Sequence, residues 1–457
     1  MADQKSIARS ISDLKRFNST LNPRLSMKLW LDEKEEEKGV PIPIKSIAEF
    51  RLRESMFLKL PVGHILYSDD GTFKNSNTFR PGRILYIAFE YKPMTTDSNK
   101  SNISLGRYRI ENVKILNNSK QTVVYSVAFI QDSLGFINSV PKYPDEANAD
   151  FSFEVMETVC GSVGVPFSSG VDTSDLMYWF NPGMRCCDFI SFLVSHSFIS
   201  EDDFGMFWIN KNGEAKFDGM KNIIQNGKPY FFESKDGKEE FTSKHLIFLD
   251  MFEKDKEELS GEDLAKKYGN SCWILFKGDQ RNNDSWEAQL FGNSVEVKVF
   301  DPFLRTYSYK SDDIETDVPS FVTHTISNKQ IQSGTPANDT TNANRVQKIV
   351  TKGYINPDLD NFWDISPEHN KLMRAEFFAN RHTISINTGK QLDCFAKQDF
   401  KIGDPIDIDF QRPFDKNPSA DSGKYIIHTI DWKFKKDTDL EVQLRVASDV
   451  VHPVKQV

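Results

Sequence analysis

The sequence has no long uncharged hydrophobic segment. Charged residues interrupt every apolar run, so no stretch reaches the roughly 18 to 20 consecutive apolar residues that a membrane helix requires. Residues 1–22 contain Lys5, Arg9, Lys15 and Arg16 but no apolar core, so a Sec-type export signal is not indicated. We therefore expect no membrane span and a protein that stays where it is made.

Cysteine is scarce and follows no recognisable spacing. One adjacent pair is present and no C-x-x-C motif, in a set of five: Cys160, Cys186, Cys187, Cys272 and Cys394. An odd, scattered set fits a reducing compartment better than a disulfide framework. Because free cysteine is usually a small buried residue, we expect buried thiols.

An excess of positive charge is also missing. The formal net charge is -9 and the sequence pI is about 5.5. Proteins that bind DNA or RNA normally present a basic face. Specific nucleic-acid binding is therefore not expected.

The sequence motifs of common nucleotide-binding and hydrolase families are absent too. There is no Walker-type phosphate loop, dinucleotide fingerprint or Gly-x-Ser-x-Gly elbow. No two histidines have the three- or four-residue spacing that places two imidazoles on one helix face for a metal; they are His64, His196, His245, His324, His369, His382, His428 and His452. The sequence predicts no catalytic residue, no cofactor-binding residue and no metal ligand.

Carboxylates are the remaining candidates for acid and base catalysis. They form local groups at Asp202-Asp203, at Asp312-Asp313 and from Asp404 to Asp409. Asp407 and Asp409 alternate with apolar residues, so both should lie on the solvent face of one strand. A glycosidase needs two carboxylates in unlike environments across a sugar. A structural role is therefore favoured.

Two other clusters have both a chemical and a structural interpretation. Tyr178-Trp179-Phe180 precedes Asn181-Pro182 and could stack on a sugar, but aromatic residues beside a proline turn more often belong to a core or an interface. Cys186-Cys187 could be a nucleophile pair at a helix start, yet no histidine partner is identifiable. Structural roles are favoured for both.

What the sequence does contain is strand periodicity. Apolar and polar residues alternate over 25–31 and 84–91, and strand-like runs follow at 107–116 and 122–130. After an N-terminal arm at 1–22, this pattern predicts a first small antiparallel barrel or sandwich over 23–140. The charged run Asp32 to Lys38 is interpreted as a solvated hairpin tip.

A second module, over 141–235, is predicted to mix helix and strand. It follows the proline-rich segment 139–144. Helices are expected over Phe151–Val163 and about Cys187–Phe198. A hairpin should then turn at Asn210-Lys-Asn-Gly213, since Asn-Gly is a strong turn signal.

Strands dominate the rest of the chain. They are predicted at 239–253, 271–277, 286–291 and 295–300 within 236–311, and again at 382–386, 391–397, 405–410, 424–435 and 440–446 within 372–451. A helix should begin after Ser366-Pro367 and end at about Arg381. The stretch 330–344 is poor in large apolar residues, so 312–371 is interpreted as an insertion or exposed loop, and 452–457 as a tail.

Module order and the last strands carry a resemblance to a known family. Phe153 to Gly164, the helix from Cys187 to Leu193 and the hairpin from Phe207 to Phe217 resemble the middle domain of baseplate central hub proteins of contractile-tailed phages. Ile402 to Ile408 and Ser422 to Phe434 are similar to the final strands of those proteins. The segment Asp312 to Trp363 has no clear counterpart.

The resemblance implies an α+β, predominantly β fold, with two tail-tube-like antiparallel β-barrels flanking the mixed module. It implies a homotrimer that forms a pseudo-sixfold ring between the tail tube and the central spike. The implied partners are the spike protein, tail tube or tube-initiator proteins and the surrounding wedge proteins. The implied location is the virion tail baseplate, with assembly in the host cytoplasm, and no enzymatic activity. The alternatives are a tail-associated cell-wall hydrolase and a carbohydrate-binding tail protein.

Overall fold

The computed structural model describes the chain in segments between Arg24 and Ser448. These are residues 24–69, 79–92, 103–118, 122–143, 149–200, 203–226, 231–233, 239–241, 245–250, 273–276, 295–301, 306–310, 346–351, 370, 374, 377, 380–386, 400–411, 423–436 and 441–448.

Most of the described strands belong to one curled, mainly antiparallel sheet of 13 strands. The N-terminal part of the chain contributes β1 (Arg24–Leu31), β2 (Val40–Pro41), β3 (Ile47–Ser55), β4 (Val62–Asp69), β5 (Ile84–Lys92), β6 (Ile103–Asn118) and β7 (Val123–Gln131). A short 3-10 turn at Ile44–Ser46 leads into β3. Their spatial order is β3-β4-β7-β6-β5-β1-β2, and every pair is antiparallel.

Alternation of side chains explains why these segments are strands. Along β7 every second residue from Val123 to Gln131 is buried, and the residues between them are partly exposed. Successive side chains of a strand point to opposite faces, so one face of the sheet packs on a core and the other meets solvent. The predicted strand at 122–130 is confirmed, whereas in β5 all residues from Leu85 to Phe89 are buried, so burial does not alternate there.

The C-terminal part of the chain extends the same sheet. It contributes β13 (His245–Asp250), β14 (Trp273–Phe276), β18 (Asn380–Ile386), β19 (Pro405–Gln411), β20 (Gly423–Lys435) and β21 (Glu441–Ser448). Strand β20 pairs with β19, β21 and β3, all antiparallel. Strand β13 pairs in parallel with both β14 and β19, so the sheet is mixed at this edge.

The middle of the chain mixes helix and strand, as predicted. Its elements are α1 (Leu134–Asn138), α2 (Ser152–Ser162), β8 (Phe167–Ser169), α3 (Cys186–His196), β9 (Gly205–Ile209), β10 (Ala215–Gly219) and α4 (Met220–Asn226). Strands β9 and β10 form the expected hairpin, and β8 adds to β10 in parallel. Gly213 ends the turn with a φ of 84°, a conformation that favours glycine.

Three predictions about strands and loops in the second half of the chain need comment. Strands β11 (Phe231–Glu233) and β12 (Glu239–Phe241) pair with each other, and β15 (Val295–Asp301), β16 (Thr306–Lys310) and β17 (Val346–Thr351) form a separate sheet. Strand β17 therefore lies inside the predicted insertion, 312–371. The predicted strands 286–291 and 391–397 lie outside the described residues.

The predicted helix end near Arg381 is wrong. Asn370, Arg374 and Phe377 are helical, but Arg381 lies in β18 and pairs with Ala447 of β21. The ladder of β18 with β21 begins at Asn380, so the helix ends before that residue.

Two large hydrophobic clusters organise the described residues, and a small third one joins Trp30, Tyr86 and Ala88. One combines both ends of the chain: Phe50, Ile65 and Phe129 lie in the same cluster as Ile430 and Val446. The other belongs to the middle of the chain and is built on α2 and α3.

Strand β9 contributes to both clusters. Met206 and Trp208 lie in the first, whereas Ile209 lies in the second. The expected α+β, predominantly β class is confirmed. The predicted domain boundaries remain predictions.

A buried carboxylate fixes the hairpin to α4. Oδ1 of Asp203 accepts hydrogen bonds from the backbone N–H groups of Phe204 and Lys221, both at 2.8 Å, and so caps the start of α4. Burial raises the pKa of Asp203 to about 6 in spite of these donors. The folded state therefore holds a proton on this group more tightly than the unfolded chain does.

We predict that Asp203→Asn removes a component of the pH dependence of stability. Since the folded pKa exceeds the unfolded value of 3.8, the wild type should lose on the order of 3 kcal/mol relative to the variant as pH rises from 4 to 7. Urea unfolding at several pH values measures this difference, with the exposed Asp172→Asn as control. Equal slopes for the wild type and Asp203→Asn would contradict the prediction.

Candidate functional site

The two ends of the chain meet where β3 pairs with β20, a contact called the seam below. The pairing runs in register from Ser55–Thr429 to Glu49–Lys435. The hydroxyls of Ser55 and Thr429 hydrogen bond at 2.7 Å, with both side chains buried. Residues more than 370 positions apart in the sequence thus become direct neighbours.

A buried carboxylate holds three arginines on one face of the seam. Asp431 is fully buried, and Arg53 binds it in bidentate fashion, with Nε to Oδ1 at 2.6 Å and Nη2 to Oδ2 at 2.9 Å. Nη2 of Arg51 and of Arg445 lie 3.4 and 3.5 Å from Oδ2. This arginine cluster, Arg51, Arg53 and Arg445 around Asp431, leaves two positive charges in excess.

The arginine cluster is open to solvent. The side chains of Arg51, Arg53 and Arg445 are 41%, 30% and 37% exposed. Phe50 and Leu52, which alternate with the first two, are fully buried in the core. The three guanidinium groups therefore lie on the face of the sheet that points away from the core.

The surroundings of Asp431 set its protonation state. Burial by itself would raise the pKa of Asp431, but the hydrogen bonds from Arg53 and the charges of Arg53, Arg51 and Arg445 hold it below its ordinary value. The same pairing raises the pKa of Arg53. The carboxylate is therefore ionised at neutral pH and bound to its partners.

On the core side of the seam, Glu54 connects three parts of the chain. It is 3% exposed. Its Oε1 accepts a hydrogen bond from Nε1 of Trp432 at 3.2 Å, and its Oε2 accepts one from the backbone N–H of Lys211 at 2.8 Å. The Nζ of Lys211 also lies 4.9 Å from the centre of the Trp432 ring, a cation–π contact. Glu54 thereby ties the β9–β10 turn to both strands of the seam.

The region just before β18 is attached to the middle module as well. The side-chain amide of Asn370 donates to the carbonyls of Ser195 and Ser197, at 3.0 and 2.7 Å, at the end of α3. Phe377 packs edge-on against Phe204. The middle module is thus fixed both to the seam and to the chain that enters the last strands.

Several large apolar side chains remain exposed at the surface. Two lie on the loop before α3, where Tyr178 is 58% and Phe180 66% exposed, while Trp179 between them is buried. The others are Phe57, Val140, Ile115 and Leu116, the last two near the end of the long strand β6. Contiguous apolar patches mark contact surfaces, whereas single exposed apolar side chains are normal, so the neighbouring Tyr178 and Phe180 are the stronger candidates.

The three cysteines that the structure describes are buried free thiols, as the sequence predicted. Cys160, Cys186 and Cys187 are free and buried, and burial raises the pKa of Cys186 to about 12. Lys59 lies beside this pair, with its Nζ 3.4 Å from Sγ of Cys187 and 2.6 Å from Oδ1 of Asp188. Cys272 and Cys394 are outside the described residues.

Two of the carboxylates considered for catalysis, Asp203 and Asp404, have described side chains, and each accepts hydrogen bonds from backbone N–H groups. Asp203 is the helix cap described above, and Oδ2 of Asp404 accepts the backbone N–H of Lys401 at 2.8 Å. Asp407 and Asp409 lie in β19, but their side chains, like Asp202, Asp312 and Asp313, are outside the described set.

Neither a cluster of metal ligands nor a membrane-spanning helix is present in the described part of the chain. It contains no group of three or more His, Cys, Asp or Glu side chains that could hold a metal ion. Within the same residues no helix is long and apolar enough to cross a membrane.

Solved structures identify the fold. No protein-family model and no curated protein matches the sequence. A tail protein from Neisseria meningitidis MC58 is similar in structure, with a TM-score of 0.50 and 8% sequence identity over 94% of this chain and 98% of that chain. The fold is that of a tail protein.

Two other solved structures overlap with the chain over most of its length. The 43 kDa tail protein of prophage MuSo2 from Shewanella oneidensis covers 93% of this chain and 97% of its own, with 9% identity and a TM-score of 0.48. A Francisella PdpA–VgrG complex covers 98% of this chain and 64% of its own, with 9% identity and a TM-score of 0.46.

The seam residues were not found from the sequence. Their signal is nevertheless visible in it: Arg51-Leu52-Arg53 places two cations on one face of a strand, and Ile430-Asp431-Trp432 places a carboxylate inside an apolar strand. A buried charge requires a partner, so each motif predicts the need for the other. Only the folded structure shows that the two motifs, 378 positions apart in the sequence, pair with each other.

We predict that Glu54→Ala loosens the middle module. The change leaves the indole N–H of Trp432 and the backbone N–H of Lys211 without their acceptor, at a cost of about 2–4 kcal/mol in the free energy of unfolding. Denaturant unfolding measures the loss, with the exposed Glu49→Ala on the same strand as control. A loss no larger than that of the control would refute the role given to Glu54.

We predict that Asp431→Asn destabilises the seam by about 3 kcal/mol, since three guanidinium groups lose their counter-charge. Because the folded pKa of Asp431 lies below the unfolded value of 3.8, its stabilisation is present above that pH and is lost as the pH falls through the folded pKa. Unfolding of the wild type and the variant at pH 7 and below pH 4 should therefore differ at pH 7 and converge in acid. A constant difference across this range would argue against the assignment.

Proposed function

We propose that the protein is a structural, non-catalytic subunit of a phage tail baseplate hub. Three copies form a pseudo-sixfold ring that links the tail tube to the central spike. One observation carries the proposal: strands from both ends of the chain complete one curled sheet, and the tail-protein fold extends over 94% of the chain. The resemblance of the middle module and the last strands to hub proteins supports the same role.

The architecture fits such a role because its parts would serve different purposes. The N-terminal barrel, 23–140, and the C-terminal one, 236–311 with 372–451, supply the two similar units that a trimer needs to present six positions. The middle module, 141–235, is attached to the seam through Glu54 and cannot move independently while those hydrogen bonds hold. A rigid unit of this kind transmits force between a tube and a spike.

The exposed apolar side chains supply contact surfaces for neighbouring proteins. Tyr178 and Phe180 lie on the middle module, Val140 lies just before it, and Ile115 and Leu116 lie near the end of β6. Aromatic anchors of this kind contribute much of the binding energy in protein interfaces. The partners proposed are the spike protein, the tube or tube-initiator proteins and the wedge proteins, in a virion baseplate assembled in the host cytoplasm.

Mass measurement by light scattering tests the proposal. We expect a trimer of the 52.4 kDa chain at micromolar concentration, or on addition of the neighbouring tail proteins. Clearing of a peptidoglycan gel would instead identify a cell-wall hydrolase, and retention on a glycan column a carbohydrate-binding protein. A strict monomer in the presence of all neighbouring tail proteins would overturn the hub role.

We predict that Phe180→Asp weakens binding to a neighbouring tail protein at least tenfold without changing stability. The side chain is 66% exposed, so its replacement removes little from the core. Trp179→Asp is the opposite case, because Trp179 is buried and its loss should unfold the module. Equal binding by the wild type and Phe180→Asp to every neighbouring tail protein would exclude this surface from assembly.

A further inference from the structure

The solvent face of the seam carries more positive charge than the arginine cluster alone. Lys433 lies on the same face of β20 as Asp431 and is directly opposite Arg51 on β3. Its Nζ donates to Oε1 of Gln443 at 2.7 Å, which is a neutral partner. Four cations therefore surround one carboxylate, and three positive charges are in excess. These four residues are called the basic patch below: Arg51, Arg53, Arg445 and Lys433.

Two features show that the basic patch is incomplete within the chain. Arg51 and Lys433 are like charges directly opposite each other on paired strands, an arrangement that disfavours the pairing. Nε of Arg445 is buried and has no hydrogen-bond acceptor in the part of the chain that the structure describes. Buried donors without a partner are rare in folded proteins. An anion bound on the patch would offset the first feature and offer an acceptor for the second.

The neighbouring rows of the sheet do not supply that anion. Glu49 lies on the same face of β3 as Arg51, but it is directly opposite Lys435. On the other side of Arg51, β4 carries His64, whose Nε2 hydrogen bonds with Oγ of Ser126 at 2.8 Å. Among the described residues, Asp431 is the only carboxylate that pairs with the patch.

The basic patch lies on the face of the sheet and not at its edge. It extends over three neighbouring strands, β3, β20 and β21, and along them from the Arg51–Lys433 pair to Arg445, which is opposite Thr429. This corresponds to about 10 Å across the strands and about 13 Å along them. An occupant must therefore lie flat on the sheet, and a surface of this size accommodates a few carboxylates.

The charge of the whole protein favours a short acidic occupant over a nucleic acid. The net charge is -9, so the rest of the surface repels any polyanion that extends beyond the patch. Charges further away than the Debye length, roughly 8 Å at physiological salt, are largely screened. A short acidic segment therefore responds mainly to the patch itself. Guanidinium groups also bind carboxylates in bidentate fashion, which adds specificity.

We infer that the basic patch binds an acidic segment of a neighbouring tail protein. The carboxylates of that segment pair with Arg51, Lys433 and Arg445, while Arg53 keeps its bidentate contact with Asp431. The inference rests on the proposed function and names the chemistry of one of its partners.

Binding of a labelled peptide tests the patch. The probe is a peptide of about eight residues in which Glu and Ser alternate, and a second peptide has Gln in place of Glu. We expect the wild type to bind the Glu peptide at least tenfold more tightly than the Gln peptide at about 0.05 M salt. The difference should shrink at about 0.5 M, because salt screens exposed charges. Fluorescence anisotropy measures both affinities.

Neutralising the patch gives the matched comparison. Arg51→Gln with Lys433→Gln should weaken binding of the Glu peptide about tenfold, and should weaken one neighbouring tail protein to a similar extent. Arg80→Gln with Lys142→Gln removes the same kinds of charge at exposed positions elsewhere and should change neither. Urea unfolding shows whether each variant is folded. If the double variant is not, Lys433→Gln alone leaves every contact of Asp431 in place and should cost about threefold.

The outcomes separate this inference from the hub role. Equal affinity of the wild type for the two peptides overturns the inference, as does unchanged binding of the Glu peptide or of every neighbouring tail protein by a folded patch variant. A short oligothymidylate that binds the patch more tightly than the Glu peptide also overturns it, in favour of nucleic acid. In each of these cases a trimer seen by light scattering leaves the hub role standing.

Two further results concern the assembly. Loss of the trimer in the folded patch variant would show that the occupant is a second copy, and would overturn the assignment to a neighbouring protein. A wild type that binds the Glu peptide through the patch, but stays monomeric with all neighbouring tail proteins, supports the acidic ligand and overturns the hub role.

Discussion

Strands β3 and β20 come from opposite halves of the chain and pair in register from Ser55–Thr429 to Glu49–Lys435. This pairing makes the sheet continuous and places both ends of the chain on one hydrophobic cluster. The same contact orients Asp431 among its arginines on one face and Glu54 beside Trp432 on the other. The position of the middle module follows, because the backbone N–H of Lys211 donates to Glu54 of β3 and the Lys211 side chain lies over Trp432 of β20.

The two faces of the seam use charge differently. On the core face Glu54 has a neutral partner in the indole of Trp432 and a backbone donor in Lys211, so its burial is compensated by hydrogen bonds. On the solvent face Asp431 is outnumbered by guanidinium groups, and an excess of positive charge remains exposed. The first arrangement favours rigidity within a chain. The second favours association, since an exposed excess of charge attracts a complementary surface.

Much of this fold could be predicted because its signals are local. Strand-like runs identified β7 and β20, an Asn-Gly pair identified the β9–β10 turn, and helical spacing identified α2 and α3. The features that could not be predicted depend on which strands become neighbours. Strand β13 pairs in parallel with β19, and Asp431 pairs with Arg53. Both contacts join segments far apart in the sequence, and no local pattern determines which segments pair. Asp203 and Cys187, for which structural roles were favoured over chemistry, are a helix cap and a buried thiol.

The sequence separation across the seam has a consequence for synthesis on the ribosome. Arg53 is translated 378 residues before Asp431, so at roughly 5–20 residues per second the edge of β3 waits tens of seconds for its partner. During that time an unpaired strand with buried-type residues such as Phe50 and Leu52 is available to other nascent chains. Chaperone protection of the growing chain, rather than the stability of the finished fold, would then limit how much protein reaches assembly.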